Sequence, residues 1–281
     1  MKNLIENINR KRHKTLNFLT GSVTNSIIQP LSLDIDEKIT PYEKSVIKDY
    51  AIKEVHYFER HYDYLISIDI KDYGLRQDDG EYSPHYNDGE LKLDIDSIDH
   101  KSLQVTLKGS LFGDTNYDSS MGGEVVYDIV GIKLGQFKNL KTEEHLVIEG
   151  ERLYDEGNYK MAFFMFFSAV ESLINSHIDK YLPKVHSELH YSVEYLSLED
   201  KLRVAAKEAL NVSDLNTVGV WGKIMGTFNS SKNKRNLIAH GKTAQIDADN
   251  VDDIYLSLLL VSGVLNYNLT TFNDINRKIF K

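Results

Sequence analysis

The chain has 281 residues, 41% hydrophobic and 27% charged, with no cysteine and a formal charge of −9. The lack of cysteine excludes disulfides, thiolate metal sites and a cysteine nucleophile. The acidic balance excludes a general polyanion binder, so any contact with nucleic acid has to be local. Length allows one large or two modest domains, and the composition is that of a soluble globular chain. Residues 1–14 lack the apolar stretch of a secretory signal. The longest apolar run, residues 161–167, is far short of the roughly 20 residues that span a bilayer. A cytoplasmic protein with no membrane partner is expected.

The first 14 residues are polar, and Arg10, Lys11, Arg12, His13 and Lys14 stand in a row. They read as a solvated terminus or the end of a short helix rather than a nucleic-acid arm. Residues 15–40 read as irregular or extended. Thr40, Pro41 and Glu43 make a capped helix start, and Val46, Ile47, Tyr50, Ala51 and Val55 continue a helical stripe, which predicts a helix ending near Phe58. The period then changes from 3.6 to 2. Tyr62, Tyr64, Ile66, Ile68 and Ile70 recur at every second position, as do Leu91, Leu93 and Ile95, and then Leu103, Val105 and Leu107. Residues 125–134 give a fourth strand. The stretches 71–90 and 109–123, rich in Gly, Asp and Ser or Tyr, read as surface loops. A small antiparallel sheet with one helix packed on it is expected over residues 1–140.

Beyond about residue 140 the pattern is helical. A helix over 143–154 is broken at Asp155, Glu156 and Gly157. The longest helix, over 158–181, is apolar nearly all round, which makes it the centre of its domain or part of an interface. Further helices are expected over 196–210, from Val220 towards residue 239 with an interruption at Asn229, Ser230 and Ser231, and over 251–269. Four or five helices with short links make a bundle over 141–281. The fold class is thus an α+β N-terminal domain followed by an all-α bundle.

One stretch carries chemistry rather than core: Lys232, Asn233, Lys234, Arg235, Asn236, Leu237, Ile238, Ala239, His240, Gly241, Lys242. Gly241 supplies the positive φ that ends helices, which puts His240 in the last turn, where the helix dipole favours a protonated imidazole. Asn236 and His240, four apart, share a face, and Arg235 is offset by about 100°. An amide, a permanent cation and a titratable base within one and a half turns suit a phosphodiester. Lys232, Lys234, Arg235 and Lys242 form a local cluster of positive charge. Read as a solvated helix end, that cluster leaves the Asn and His unexplained.

Other constellations are weaker. His186 and His190 have a zinc-compatible spacing but sit in a polar context beside Pro183. Asp94, Asp96 and Asp99 lack the central Gly and terminal Glu of a calcium loop and read as the solvent face of a strand. Glu171 lies inside the most apolar helix, where a carboxylate needs a partner. It reads equally as an orienting partner of Arg235 and as half of a structural salt bridge. No phosphate-cradling Gly-rich loop, nucleophile elbow, dinucleotide fingerprint or two-metal acidic cluster is present, so no cofactor or metal is expected.

The pattern Arg235-Asn236-x-x-x-His240, with Gly157, Tyr159 and Ala162 and the Ala169, Glu171, Leu173 helix upstream, resembles the HEPN superfamily of small helical domains. Many of these are metal-independent endoribonucleases. The resemblance covers about the last half of the chain, and residues 1–140 match nothing. It implies RNA as substrate, Arg235, Asn236 and His240 as catalytic residues, and Lys232, Lys234 and Lys242 as RNA contacts, with Glu171 behind them. It also implies a homodimer through the C-terminal bundle, forming a composite site. By the same analogy residues 1–140 sense an unknown trigger or ligand, and the protein is a toxin or abortive-infection effector in antiviral defence. The alternatives are a non-catalytic dimerisation or RNA-binding module and, more remotely, the toxin partnered by a nucleotidyltransferase. That toxin carries a Tyr just after the His, whereas Gly241, Lys242 and Thr243 follow here.

Overall fold

The computed structural model describes residues 1–34, 47–76, 82–83, 85–86, 89–114, 120–242 and 245–281. The chain divides into two compact units, one of residues 1–21 with 139–281 and the other of residues 22–138. Residues 1–21, grouped with the strands on sequence grounds, therefore belong with the C-terminal helices.

The β unit contains two four-stranded antiparallel sheets. In chain order its strands are β1 (Val23–Asp34), β2 (Ile47–Tyr57), β3 (Tyr62–Arg76), the short β4 (Tyr82–Ser83) and β5 (His85–Tyr86), β6 (Gly89–Asp99), β7 (Gln104–Asp114) and β8 (Ser120–Lys133). One sheet runs β1-β8-β3-β4 and the other β2-β7-β6-β5. Leu65, Ile68, Tyr127 and Ile129 of the first share one core with Leu91, Val105, Leu107 and Leu111 of the second. The alternation read at 91–95 and 103–107 is the inward face of these strands. Along β3, register shifts between Tyr62 and Tyr64 and between Leu65 and Ser67 put Tyr62, Leu65 and Ile68 in the shared core with Ile70 packed against it, and leave Tyr64 and Ile66 out of it.

The helix expected over 41–58 is not formed where the structure describes it. Residues 47–57 are strand β2, paired with β7 from Ile47↔Asp114 to Tyr57↔Gln104. The cap at Thr40, Pro41 and Glu43 lies outside the described residues. The helical stripe was misleading because the inward positions of β2 include Glu54 and His56, which hide its alternation. His56 is buried; its Nδ1 lies 2.7 Å from the Tyr127 hydroxyl inside the core, and its Nε2 lies 3.3 Å from Glu54 Oε1. The loops expected at 71–90 and 109–123 are also shorter than their composition suggests, since β3 runs to Arg76, β7 to Asp114, and β8 starts at Ser120.

The helical unit contains α1 (Lys2–Arg10), α2 (Arg12–Thr20), α3 (Thr142–Asp155), α4 (Tyr159–Tyr181), α5 (His190–Glu194), α6 (Leu198–Leu210), α7 (Trp221–Ala239), α8 (Ala248–Tyr267) and α9 (Phe272–Phe280). Local signals set the starts. Glu144 reaches back to accept from the Lys141 N–H at 2.7 Å before α3, while Asn158, Ser197, Asp247 and Thr271 cap α4, α6, α8 and α9 with side-chain oxygens. The apolar α4 and α8 form the centre. Phe163, Phe166, Phe167 and Val170 of α4 are buried, and the Phe166 ring meets the Tyr255 ring of α8 edge-on at 5.0 Å. Gly150 lets α3 approach closely, since a Cβ there would lie 2.8 Å from the Phe166 ring. Tyr159–Lys184 is long and apolar enough to cross a membrane by length and composition, but 56% of its apolar window is buried inside the protein.

The polar N-terminus is not a loose arm. Arg12 Nε donates to Glu151 Oε1 of α3 at 2.5 Å and Nη1 to Asp252 Oδ1 of α8 at 3.1 Å. Its guanidinium lies over the Tyr154 and Tyr255 rings, at 4.2 and 4.4 Å. Tyr255, fully buried, shares a hydrogen bond of 2.7 Å with Thr15 of α2. Burial alone would weaken proton binding at Arg12, but the Glu151 charge and hydrogen bond, with Tyr255 and Asp252, together more than offset this and hold the guanidinium charged.

Candidate functional site at the end of α7

The interruption expected at Asn229, Ser230 and Ser231 is absent, and α7 runs unbroken to Ala239. Trp221, Ile224, Phe228 and Ser231, spaced 3, 4 and 3, form its buried stripe, and this packing overrides the weak helix propensity of the Asn and Ser residues. The Phe228 ring stacks near Phe167 of α4, with centroids 6.1 Å apart. Ser231 does not cap a new helix but lies in the core as a small side chain.

Arg235 is the next residue on that stripe, where core gives way to solvent. It is half-buried, with its guanidinium 6.0 Å from the Phe167 ring centroid. Glu171, one turn further along α4, is close enough for Arg235 to lower its carboxyl pKa, but burial acts the other way more strongly and the net shift is upward. The two side chains form no salt bridge among the described residues. Asn236 and His240 face outward and are exposed, and neither side chain has a protein hydrogen-bond partner among the described residues.

The backbone fixes this end firmly. Gly241 has φ +70°, its N–H donates to the Ile238 carbonyl at 3.0 Å, and the Lys242 N–H donates to the Leu237 carbonyl at 2.9 Å. This paired closure is a Schellman motif, and it places His240 at the C-cap. The last turn thus carries an exposed amide and an exposed imidazole four residues apart, with half-buried Arg235 about 100° round the helix from Asn236.

The lysines divide. Lys232 is half-buried and donates to Glu199 Oε2 of α6 at 3.3 Å, while Arg203 donates to Glu199 Oε1 at 2.8 Å. Those two hydrogen bonds, Arg203 first, hold the Glu199 carboxyl below its usual range. Lys234 is half-buried and Lys242 exposed, and neither has a partner among the described residues.

His186 and His190 do not share a helix. His190 Nε2 lies 2.9 Å from the Val185 carbonyl, and His186 precedes a separate turn at Ser187–Leu189. No group of three or more His, Cys, Asp or Glu residues among those described comes together as a metal site would require. Asp94, Asp96 and Asp99 lie along β6, as the strand reading expects. Asp99 turns its carboxylate onto the Lys101 and Ser102 N–H groups at 3.0 Å each.

Sequence reading missed two features of this unit. One is an exposed pair of rings, Tyr191 and Tyr195, with centroids 4.4 Å apart. Their i, i+4 spacing was the only signal. The other is a cavity of about 430 Å³ beside α6 and the start of α7. No protein-family model, no curated protein and no solved structure matches the chain.

Proposed function

We propose that this chain is a metal-independent endoribonuclease whose helical unit is a HEPN-like bundle. One observation carries the reading: the last turn of α7 presents Asn236 and His240 to solvent with no side-chain partner among the described residues, beside an arginine that forms no salt bridge among them. Polar groups held by a rigid cap yet uncommitted to the fold suit a ligand. RNA supplies its own nucleophile. The ribose 2′-oxygen attacks the adjacent phosphorus, the bond to the 5′-oxygen breaks, and the products are a 2′,3′-cyclic phosphate and a 5′-hydroxyl. His240 takes the 2′-hydroxyl proton or gives one to the leaving oxygen, as general base or acid. Arg235 donates two N–H groups to the phosphorane oxygens where charge develops, and Asn236 positions the imidazole or phosphate. Lys234 and Lys242 hold flanking phosphates, with Lys232 shared between RNA and Glu199.

One imidazole does not readily serve as base and acid in a single step, which favours a homodimer that brings two copies of the motif together. The apolar helix α4 adds no separate argument for a dimer, because Phe163, Phe166 and Phe167 are buried within the chain. On the family analogy alone, the β unit senses a trigger or ligand and the protein acts in the cytoplasm as an abortive-infection effector or toxin. A non-catalytic module is the second reading, favoured by the position of Arg235 against Phe167 and Glu171.

The test is cleavage of single-stranded RNA in EDTA. His240→Ala is expected to lose at least ~100-fold in rate, the usual scale for a general acid or base. Full activity in that variant, or strict dependence on added Mg²⁺, would overturn the mechanism.

A further inference from the structure

The cavity beside α6 combines features that the motif at the end of α7 does not use. Leu196, Val204 and Trp221 give it an apolar lining, Arg203 and Lys207, one turn apart on α6, supply positive charge, and Asn216 supplies an amide. Its two carboxylates have local tasks: Asp214 accepts from the Asn216 N–H at 2.9 Å, and Asp200 accepts from the Ser197 hydroxyl at 2.7 Å. Arg203 is shared with Glu199, but Lys207 is exposed and has no partner among the described residues. At about 430 Å³ the cavity lies within the range of small-molecule sites.

Its surroundings are continuous with both the tyrosine pair and the motif. Tyr195 directly precedes Leu196, and Tyr191 and Tyr195 are 67% and 70% exposed, an unusual state for two touching aromatic rings. In the other direction, Glu199 joins Arg203 on the cavity wall to Lys232 of α7, three residues before Arg235. Exposed rings, an apolar hollow and cations thus follow one another towards the cut site. That sequence of chemistries is what a flexible polyanion with planar bases requires, since bases stack on aromatic faces while Lys and Arg follow the phosphates.

We propose that the α6 cavity and the Tyr191–Tyr195 pair form a subsite for single-stranded RNA, in which one nucleotide enters the hollow and a neighbouring base stacks on the tyrosines. The proposal rests on the ribonuclease reading, whose substrate it extends beyond the scissile phosphate. Lys207 and Arg203 hold phosphate oxygens at the mouth, and Asn216 meets a base edge. The preference is for single strands, because a duplex offers no free base to stack or insert.

The experiment measures binding of a fluorescent 2′-O-methyl oligouridine of about ten nucleotides, a length in the range of single-strand sites. This probe lacks the 2′-hydroxyl nucleophile and so stays uncut. Full-length wild type is compared with Lys207→Glu, Tyr191→Ala/Tyr195→Ala and Tyr191→Phe/Tyr195→Phe, all at exposed positions. The first two are expected to raise Kd about ten-fold or more, and the phenylalanine pair, which keeps the stacking faces, to stay within about two-fold. Trp221 is the only tryptophan in the chain, so probe binding is also expected to quench the intrinsic fluorescence. The proposal is overturned if wild type fails to bind the probe, or if Lys207→Glu and the alanine pair both bind as wild type does. It is likewise overturned if the alanine pair changes only the sedimentation behaviour, which would make the tyrosines a subunit contact. Cleavage of ordinary oligouridine separates the two readings. Wild type that cuts, with KM unchanged in the variants, removes the subsite and keeps the ribonuclease. Wild type that binds through these residues but does not cut keeps the subsite and removes the chemistry.

Discussion

Removing the Arg12 side chain tests whether the N-terminal helices are part of the helical unit. Arg12 is the one residue of α2 that engages both α3 and α8 by ion pairs among the described residues, through Glu151 at 2.5 Å and Asp252 at 3.1 Å. Glu151 is only 3% exposed, so without Arg12 its carboxylate is left buried with no countercharge. Breaking one side of such a pair costs about 3–5 kcal/mol, most of it from the charge left behind. Loss of the cation over the Tyr154 and Tyr255 rings adds to this. At roughly 2–4 °C per kcal/mol for a unit of this size, Arg12→Ala is expected to lower the melting temperature of the helical unit by about 10 °C. The paired change Arg12→Met/Glu151→Met is expected to be milder than Arg12→Ala, because it removes both charges and keeps apolar volume. Calorimetry on the full chain reads the helical and β transitions in one scan. A shift below about 2 °C for Arg12→Ala would refute the reasoning, since it would mean that Glu151 carries no buried charge needing a partner.

Two further outcomes follow from the site. Burial raises the Glu171 carboxyl pKa, with Arg235 opposing, and a group whose folded pKa exceeds its unfolded value contributes stability at low pH that is lost as pH rises through the folded pKa. Glu171→Gln is therefore expected to raise the melting temperature by about 1–3 °C at pH 7, with the gain closing as pH falls towards 4; a fall at pH 7 would make Glu171 a structural partner of Arg235. At Gly241, with φ +70° and open space where a Cβ would stand, Gly241→Ala meets only backbone strain, expected to cost about 1–2 kcal/mol by urea unfolding. Wild-type stability in that variant would refute the left-handed cap.

Elements that carry their own start signals and a single face were legible in the sequence. The helices over 142–155 and 159–181 are marked by Glu144 and Asn158, and β3, β6 and β7 by apolar alternation. Strand β2 was not legible because its inward Glu54 and His56 are polar for a tertiary reason, the contact with Tyr127 across the core. The docking of α2 was equally hidden. Arg12 looks solvated among its basic neighbours, and its partners lie 139 and 240 residues away. At the candidate site, Gly241 and the four-residue spacing of Asn236 and His240 reveal the geometry because both are local. The α6 cavity depends on segments that meet only after folding, so no local pattern announces it.

Arg235 is where the two readings of the site meet, and its surroundings bear on the choice. On the α7 stripe it occupies a core-facing position, and a scaffold role there would require the buried charge to be matched by Glu171. A matched pair would show nitrogen and oxygen within salt-bridge distance, as Glu199 shows with Arg203 and Lys232 and Glu151 shows with Arg12. Glu171 forms no salt bridge with Arg235 among the described residues, although the guanidinium is close enough to oppose the upward shift that burial imposes on its carboxyl pKa. The Phe167 ring instead supports the guanidinium from one side at 6.0 Å. Among the described residues no acceptor pairs with the N–H fork, and a fork with free donors is the form in which arginine binds phosphate oxygens. The same position explains why the residue stands on the core stripe at all. On the ribonuclease reading, the side chain's position beside Phe167 would restrict it in advance and lessen the freedom lost on binding a phosphate.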